Sequence, residues 1–174
     1  MVSQVRPKLV LVDGKLTDGL DCIHSARLPM LLPREYQPQP IILDSYLRTP
    51  PSCRLIRNYL NKLQPIPIVV GSKKLLEEMP YLDAELDEAG AEVATCAVDG
   101  VGRISLSHVL DEVVVGESVM VEGGASVINS FLTSGLVDQV IVTTAPITVG
   151  KGVSVEPLGV SCHSPVATHL TRFV

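Results

Sequence analysis

The 174-residue sequence has few aromatic side chains and no excess of basic ones. It holds four Tyr, two Phe and no Trp, and its formal net charge is −5. Proteins that bind single-stranded nucleic acids stack bases on aromatic rings, and phosphate backbones are bound by basic surfaces. We therefore expect no nucleic-acid partner, and a phosphorylated ligand must be held by a local cluster of donors.

Long apolar runs and paired cysteines are absent too. The runs 65–70 and 9–12 are much shorter than the roughly 18 residues of a membrane span, and the second is too short for a signal-peptide core. The four cysteines are widely spaced and form no C-x-x-C pair, which argues against a zinc site and is typical of reduced thiols. We expect a cytoplasmic protein with no membrane segment and no metal site.

What the sequence does contain is material for one folded domain. Hydrophobic residues make up 46 % of it, and its length predicts a single domain over residues 1–174. Runs rich in Val and Ile predict buried strands over 8–12, 39–43, 66–70, 91–97, 118–121 and 139–144. Helical spacing of apolar residues predicts helices over 52–63, 106–115 and 126–134. The alternation predicts an α/β fold, a mostly parallel sheet with helices on both faces.

One segment combines a strand end, two glycines and a helix start. Glu122, Gly123 and Gly124 follow the predicted strand 118–121, and Ser126 opens the next helix. Ligands of α/β sheets bind at the carboxyl ends of strands, glycines let a ligand approach the backbone, and a helix amino end attracts phosphate. A purely structural turn would use the same glycines, but the carboxylate of Glu122 on the rim favours a binding role.

Two longer segments resemble one enzyme family. The segment VEGGASVINSFLTSGLVDQVIVTTAPITVGKG, with its E-G-G, L-V-D and A-P-x-x-x-G motifs, resembles the reductase of riboflavin biosynthesis. This family has a dihydrofolate-reductase-like fold and also forms the C-terminal half of bacterial deaminase-reductases. The segment PQPIILDSYLRTPPSCRLIRNYLN resembles its stand-alone fungal and archaeal members, and the resemblance covers residues 38–152 well.

The resemblance implies an activity, a cofactor and an assembly. Family members use NADPH to reduce the ribosyl side chain of 2,5-diamino-6-ribosylamino-4(3H)-pyrimidinone 5′-phosphate to a ribitylamino group, normally as homodimers. Hydride transfer needs mainly orientation from the protein, so no catalytic side chain is assigned. A reductase of pterin-like substrates follows from the fold alone and is a weaker alternative.

The resemblance also implies a set of site residues. Val70 and Gly71 match the end of the strand that lies along the cofactor, Asp18 loosely matches an acidic pair near the cofactor, and Arg48 matches a substrate-side basic position. The cofactor phosphate loop would consist of Glu122, Gly123, Gly124, Ala125 and Ser126.

Other basic residues are weaker candidates for the same phosphates. Arg54 and Arg57 could join Arg48 on the substrate phosphate. Lys73 and Lys74 either approach the 2′-phosphate of NADPH or are solvated at the start of a helix.

Residues 1–25 depart from the family pattern. Family members carry a helix and a second strand between a D-G-K segment and a glycine-threonine turn, whereas here the strand 8–12 runs directly into Asp13-Gly14-Lys15. Either that helix and strand are missing, or 9–22 is the second strand and the first is absent. An evolved short form, an alternative transcript and a mis-assembled gene all agree with this pattern. Because a sheet with a gap exposes an edge, we expect weakened or absent activity, and the alternative to an enzyme is a cofactor-binding or dimer-forming remnant.

Overall fold

The structure, a computed structural model, describes residues 9–13, 34, 37–114 and 118–140. In these residues five parallel strands form one sheet in the order β4-β3-β2-β1-β5. The strands are β1 (Leu9–Asp13), β2 (Gln39–Leu43), β3 (Ile68–Ser72), β4 (Glu92–Cys96) and β5 (Val119–Val121). All five lie within two residues of the predicted strands, and the parallel sheet is confirmed.

Helices connect the strands. They are α1 (Arg54–Leu60), α2 (Lys73–Glu78), α3 (Tyr81–Ala89), α4 (Leu106–His108) and α5 (Ala125–Ser134). Helix α4 continues directly into a π-helix over Val109–Val114. Helices α3 and α5 end at Gly90 and Gly135, whose φ angles of 96° and 70° belong to the left-handed region that glycine adopts without strain.

The pleat of the central strands divides the core between the two faces of the sheet. Ile41 and Val70 lie in one cluster, and Ile42 and Val69 lie in the other, because successive side chains of a strand point to opposite faces. All four are fully buried, and burial of one such side chain contributes about 1.5–3 kcal/mol. The helices complete the two clusters, with Val109 and Phe131 in the first and Leu55, Ile56 and Leu86 in the second. Helices on both faces are therefore confirmed.

Helix α1 is shorter than the predicted helix 52–63. It ends at Leu60, and Lys62 has a φ of 60°, so the chain leaves the helix direction there. The apolar spacing that predicts a helix over 52–63 also places Leu60 and Leu63 on its buried face. They are 61 % and 38 % exposed, so that part of the prediction was wrong. Gln64 secures the returning chain instead, because its Nε2 donates to the carbonyl of Leu55 at 2.9 Å.

Two other predicted elements also differ. The predicted helix 106–115 is α-helical only over its first turn and then widens into the π-helix, and residue 115 lies outside the described residues. A π-helix bonds each residue to the fifth one along the chain and commonly accommodates an extra residue in a helix. Of the predicted strand 139–144, Gln139 and Val140 are not in a strand, and 141–144 are not among the described residues.

Strand β1 is an interior strand of the described sheet, next to the edge strand β5. It pairs in parallel with β2 on one side and β5 on the other. The rest of the predicted shortened region 1–25, including Asp18, lies outside the described residues, so the missing helix and strand stay a prediction. Within 9–13, 34, 37–114 and 118–140, no helix has the length and apolar character of a membrane span.

Candidate functional site

The strand order marks one edge of the sheet as a place for a ligand. Strands β2, β3 and β4 follow one another on one side of β1, whereas β5 lies on its other side. In parallel sheets, ligands bind at the carboxyl ends of strands where the order reverses in this way. Strand β5 ends at Val121, level with Leu11, and β2 ends two residues further on at Leu43, level with Asp13, so the segments that follow both strands leave the sheet at its carboxyl edge.

An open cleft of about 760 Å³ lies at this edge, a size typical of small-molecule sites. It is lined by the segment after β2, the segment between β4 and α4, and helix α5. Its charged lining residues are Asp44, Arg48, Asp99 and Arg103, and its hydroxyl groups include those of Ser45, Ser105, Ser126 and Ser130. The two arginines balance the two aspartates, so in a chain of net charge −5 an anion would be held here by individual guanidinium groups.

Asp44 closes the turn that follows β2. Its backbone N–H donates to the carbonyl of Val70 at 3.0 Å, and its own carbonyl accepts from the N–H of Leu47 at 3.0 Å. Its Oδ2 accepts from both the N–H and the Oγ1 of Thr49, at 2.7 and 2.8 Å. The residue is only 2 % exposed. The turn 44–49 is thus fixed to β3 and to itself by hydrogen bonds.

Leu47 lies in this turn with an unusual backbone conformation. Its φ is 48° and its side chain is 5 % exposed, although a side chain in the left-handed region costs about 1–2 kcal/mol. The side chain packs over Gly71, where an added Cβ would lie 2.8 Å from Leu47 Cδ2. Gly71 therefore makes room for Leu47. Val70 and Gly71, predicted to contact the cofactor, are buried beneath the turn and are not among the described residues that line the cleft.

Arg48 lies in the cleft, as its predicted binding role requires. Its side chain is 47 % exposed, its Nε lies 4.0 Å from Asp44 Oδ1, and its Cζ lies 5.6 Å from the centre of the Tyr46 ring. Arg54 and Arg57 do not join it among the described lining residues, because helix α1 packs against the opposite face of the sheet.

Sequence reasoning missed Arg103, the second arginine of the cleft. It ends a tight loop in which Asp99 Oδ1 accepts from the N–H groups of Val101 and Arg103, both at 2.9 Å. The bond from Arg103 is the main cause that lowers the pKa of the Asp99 carboxyl. An aspartate followed by two glycines within four residues is a turn signal, but it gives no sign of which cleft the turn borders.

The glycine segment after β5 has the predicted strand–turn–helix form. Gly123 packs against helix α5 so closely that an added Cβ would lie 2.7 Å from Val127 Cβ. Gly124 is the N-cap and has no side chain with which to bond the first-turn N–H groups, so these remain available to an anion. Helix α5 begins at Ala125, and Ser126 is exposed and lines the cleft. Glu122 is exposed at the end of β5.

The remaining candidates lie elsewhere. Lys73 and Lys74 are exposed at the start of α2, and Lys74 Nζ lies 4.0 Å from Glu78 Oε1. Of the two predicted alternatives, the structure therefore has the solvated side chains at the start of a helix. Within the part of the chain that the structure describes, no group of three or more His, Cys, Asp or Glu side chains could hold a metal ion.

The sheet, its two helical layers and the edge cleft define an α/β protein of the dihydrofolate-reductase-like class. A solved structure of this class, RibD of Acinetobacter baumannii in form 2, superposes on 76 % of this chain and 33 % of its own, with a TM-score of 0.52 and 21 % identity. The RibD C-terminal domain family matches residues 8–170, and the chain belongs to that family. The resemblance seen over 38–152 is thereby confirmed, and the match extends beyond it at both ends.

The curated relatives of the chain are named either RibD or the pyrimidinone phosphate reductase. RibD of Aquifex aeolicus is 32 % identical over 129 residues, which are 74 % of this chain and 33 % of the relative. The 2,5-diamino-6-ribosylamino-4(3H)-pyrimidinone 5′-phosphate reductase of Methanothermobacter thermautotrophicus is 38 % identical over 116 residues, or 65 % and 48 % of the two chains. The reductase of Candida glabrata is 35 % identical over 129 residues, or 71 % and 49 %. The chain spans between a third and a half of the length of these relatives.

Proposed function

We propose that this chain reduces the ribosyl side chain of 2,5-diamino-6-ribosylamino-4(3H)-pyrimidinone 5′-phosphate to a ribitylamino group in riboflavin biosynthesis, with NADPH as reductant. The observation that carries the proposal is the cleft in which Arg48 and the amino end of α5 border one space, in a chain of the RibD C-terminal domain family. Two relatives bear the name of this reductase.

The residues at the amino end of α5 suit the cofactor. NADPH, when bound, supplies the hydride. The first-turn N–H groups of α5 and the Ser126 hydroxyl would hold the phosphates of NADPH. The N-cap Gly124 has no side chain that bonds these N–H groups, and such groups at a helix amino end bind anions. Gly123 and Gly124 leave the approach to the helix free of side chains. Glu122, exposed just after β5, and Asp18, outside the described residues, are the further contacts that the family resemblance implies.

Arg48 suits the 5′-phosphate of the substrate. It lies in the cleft, and a guanidinium group binds a phosphate through two parallel hydrogen bonds. With the phosphate held there, the opened ribose ring presents C1′ as the carbon of a C=N imine bond. Hydride adds to C1′ and a proton from water adds to the nitrogen, so the C–N bond is kept and the ribitylamino group results. The protein contributes mainly by holding the two reactants in register.

A titration separates the active enzyme from the remnant. NADPH binding is followed by its fluorescence, and turnover by the loss of reduced-nicotinamide absorbance on addition of the pyrimidinone phosphate. We expect binding and substrate-dependent oxidation, both weakened in Glu122→Ala. Binding without turnover favours the non-catalytic alternative, and no binding overturns the cofactor assignment. Sedimentation of the same protein tests the homodimer, for which the family resemblance is the support.

A further inference from the structure

We propose that Asp44 is a positioning residue that holds the guanidinium of Arg48 in place for a sugar phosphate. The proposal rests on the proposed function only in taking Arg48 as the phosphate ligand. It starts from a buried carboxylate oxygen, Asp44 Oδ1, which has no hydrogen-bond partner among the described residues.

The two oxygens of Asp44 have different surroundings. Oδ2 accepts two hydrogen bonds from Thr49, at 2.7 and 2.8 Å, and these fix the plane of the carboxylate. Oδ1 is left with Arg48 Nε at 4.0 Å, which is within the range of an ion pair but beyond a hydrogen bond. A buried acceptor without a donor is unfavourable, so we expect the N–H of Arg48 Nε, 4.0 Å away, to satisfy it.

A movement of about 1 Å would close this gap to a charge-assisted hydrogen bond. The bond would use only the Nε–H of Arg48 and would leave the four N–H groups of its two terminal nitrogens for a phosphate. The Tyr46 ring, 5.6 Å from Arg48 Cζ, limits the guanidinium from another side. Because the turn is also fixed through Leu47 and Val70, Asp44 can orient the arginine without a change in the backbone.

The alternative is that Asp44 only holds the turn together, and a set of variants separates the two roles. Asp44→Asn keeps an oxygen for Thr49 but presents an amide N–H₂ group to Arg48 Nε, so the turn is retained and the arginine is released. Thr49→Val is the matched control, because it removes one of the two Thr49 bonds and leaves the Asp44 charge intact. Arg48→Gln removes the phosphate ligand itself.

The probe is ribose 5-phosphate, with its affinity measured by calorimetry. Loss of a charge-assisted hydrogen bond predicts affinities about tenfold weaker in Asp44→Asn and at least as weak in Arg48→Gln. If Asp44 acts through Arg48, the double variant binds no more weakly than Arg48→Gln alone. Thr49→Val should lower the Tm while its affinity stays within about twofold of wild type. Wild-type affinity in Asp44→Asn, or additive losses in the double variant, would overturn the proposal.

A second measurement needs no variant. In the NMR spectrum of the wild-type protein, the Nε–H of Arg48 should exchange more slowly with water once ribose 5-phosphate is bound. An exchange rate unchanged at saturation contradicts the proposal, and so does a wild-type protein that does not bind the sugar phosphate.

The outcome for the proposed reductase is separate. If the chain binds ribose 5-phosphate through the Asp44–Arg48 pair but never oxidises NADPH, the reductase function fails and the positioning role stands. If the chain turns over and Asp44→Asn raises the KM about tenfold with kcat unchanged, both stand. If the chain turns over and Asp44→Asn has the KM of the wild type, the reductase function stands and the positioning role of Asp44 is overturned.

Discussion

Leu47 and Gly71 depend on each other beside the cleft described above. Leu47 holds a left-handed backbone conformation, and its side chain fills the space that Gly71 leaves by having no Cβ. Such strained residues persist only where their surroundings hold them. The conformation of the turn that contains Arg48 therefore depends on Gly71 in the neighbouring strand β3, against which Leu47 packs.

Substitution of Gly71 should disturb stability and substrate binding together. In Gly71→Ala the new Cβ would lie 2.8 Å from Leu47 Cδ2 and 3.0 Å from its Cγ, so the buried Leu47 side chain must shift. We expect the free energy of unfolding to fall by about 1–3 kcal/mol, as overpacked cores do, and the KM for the phosphorylated substrate to rise. Urea denaturation and steady-state kinetics measure the two effects.

Gly100→Ala is the matched control for this substitution. No heavy atom of the described structure lies within 4 Å of a Cβ added at Gly100, so its stability and KM should match those of the wild type. Equal behaviour of the two alanine variants would show that Leu47 does not need the space at Gly71.

At the residue scale, sequence and structure agree best where one residue type has one physical use. The glycines at 123 and 124 predicted a turn before a helix start, and the structure has that turn, with Gly123 packed against the helix. The roles of Asp44 and Arg103 could not be predicted from the sequence. They depend on a turn and a loop that are far apart in the sequence and meet only at the cleft.

Among the helices, the position of α5 depends on Gly123, the residue before its N-cap. An added Cβ at Gly123 would lie 2.7 Å from Val127 Cβ, an atom attached directly to the helix backbone. Gly123→Ala must therefore shift the first turn of α5 and its free N–H groups. We expect the NADPH dissociation constant to rise about tenfold or more, which corresponds to about 1.4 kcal/mol.

Fluorescence titration of Gly123→Ala measures this loss, again beside Gly100→Ala. The circular dichroism spectrum should stay close to that of the wild type, because only one helix end moves. Wild-type affinity in Gly123→Ala would remove the amino end of α5 from the cofactor site.

The loop from Asp99 to Arg103 should depend on pH. Its N–H groups bond the ionised Asp99 carboxyl and lower the pKa of that group. A lowered pKa means that the bonds are fully present above the ordinary value of 3.8 and are lost as the pH falls through the lower value of the folded state. NMR titration of the carboxyl should give a midpoint below 3.8.

The same titration contains its own check. The amide signals of Val101 and Arg103 should move with the Asp99 carboxyl, and in Asp99→Asn they should no longer respond over this pH range. A midpoint at or above 3.8 would mean that these hydrogen bonds are not formed in solution.

For the whole molecule, the kind of fold could be predicted and the arrangement of its strands could not. Runs such as 39–43 carry the apolar pattern of a strand covered on both faces, and the alternation with helices predicts a parallel sheet. The position of β5 beside β1 instead of beside β4 depends on contacts between distant parts of the chain, which local patterns do not contain. The same holds for α1, where the turn at Lys62 exposes Leu60 and Leu63.

The position of β1 between β2 and β5 also bears on how the protein folds. Leu9 pairs with Val119, 110 positions away, and closing so long a loop is entropically costly and slow. Strands β2, β3 and β4 pair over much shorter stretches. We therefore expect the turn with Asp44 and Arg48 to form early in folding, and the glycine segment before α5 to pack beside it later.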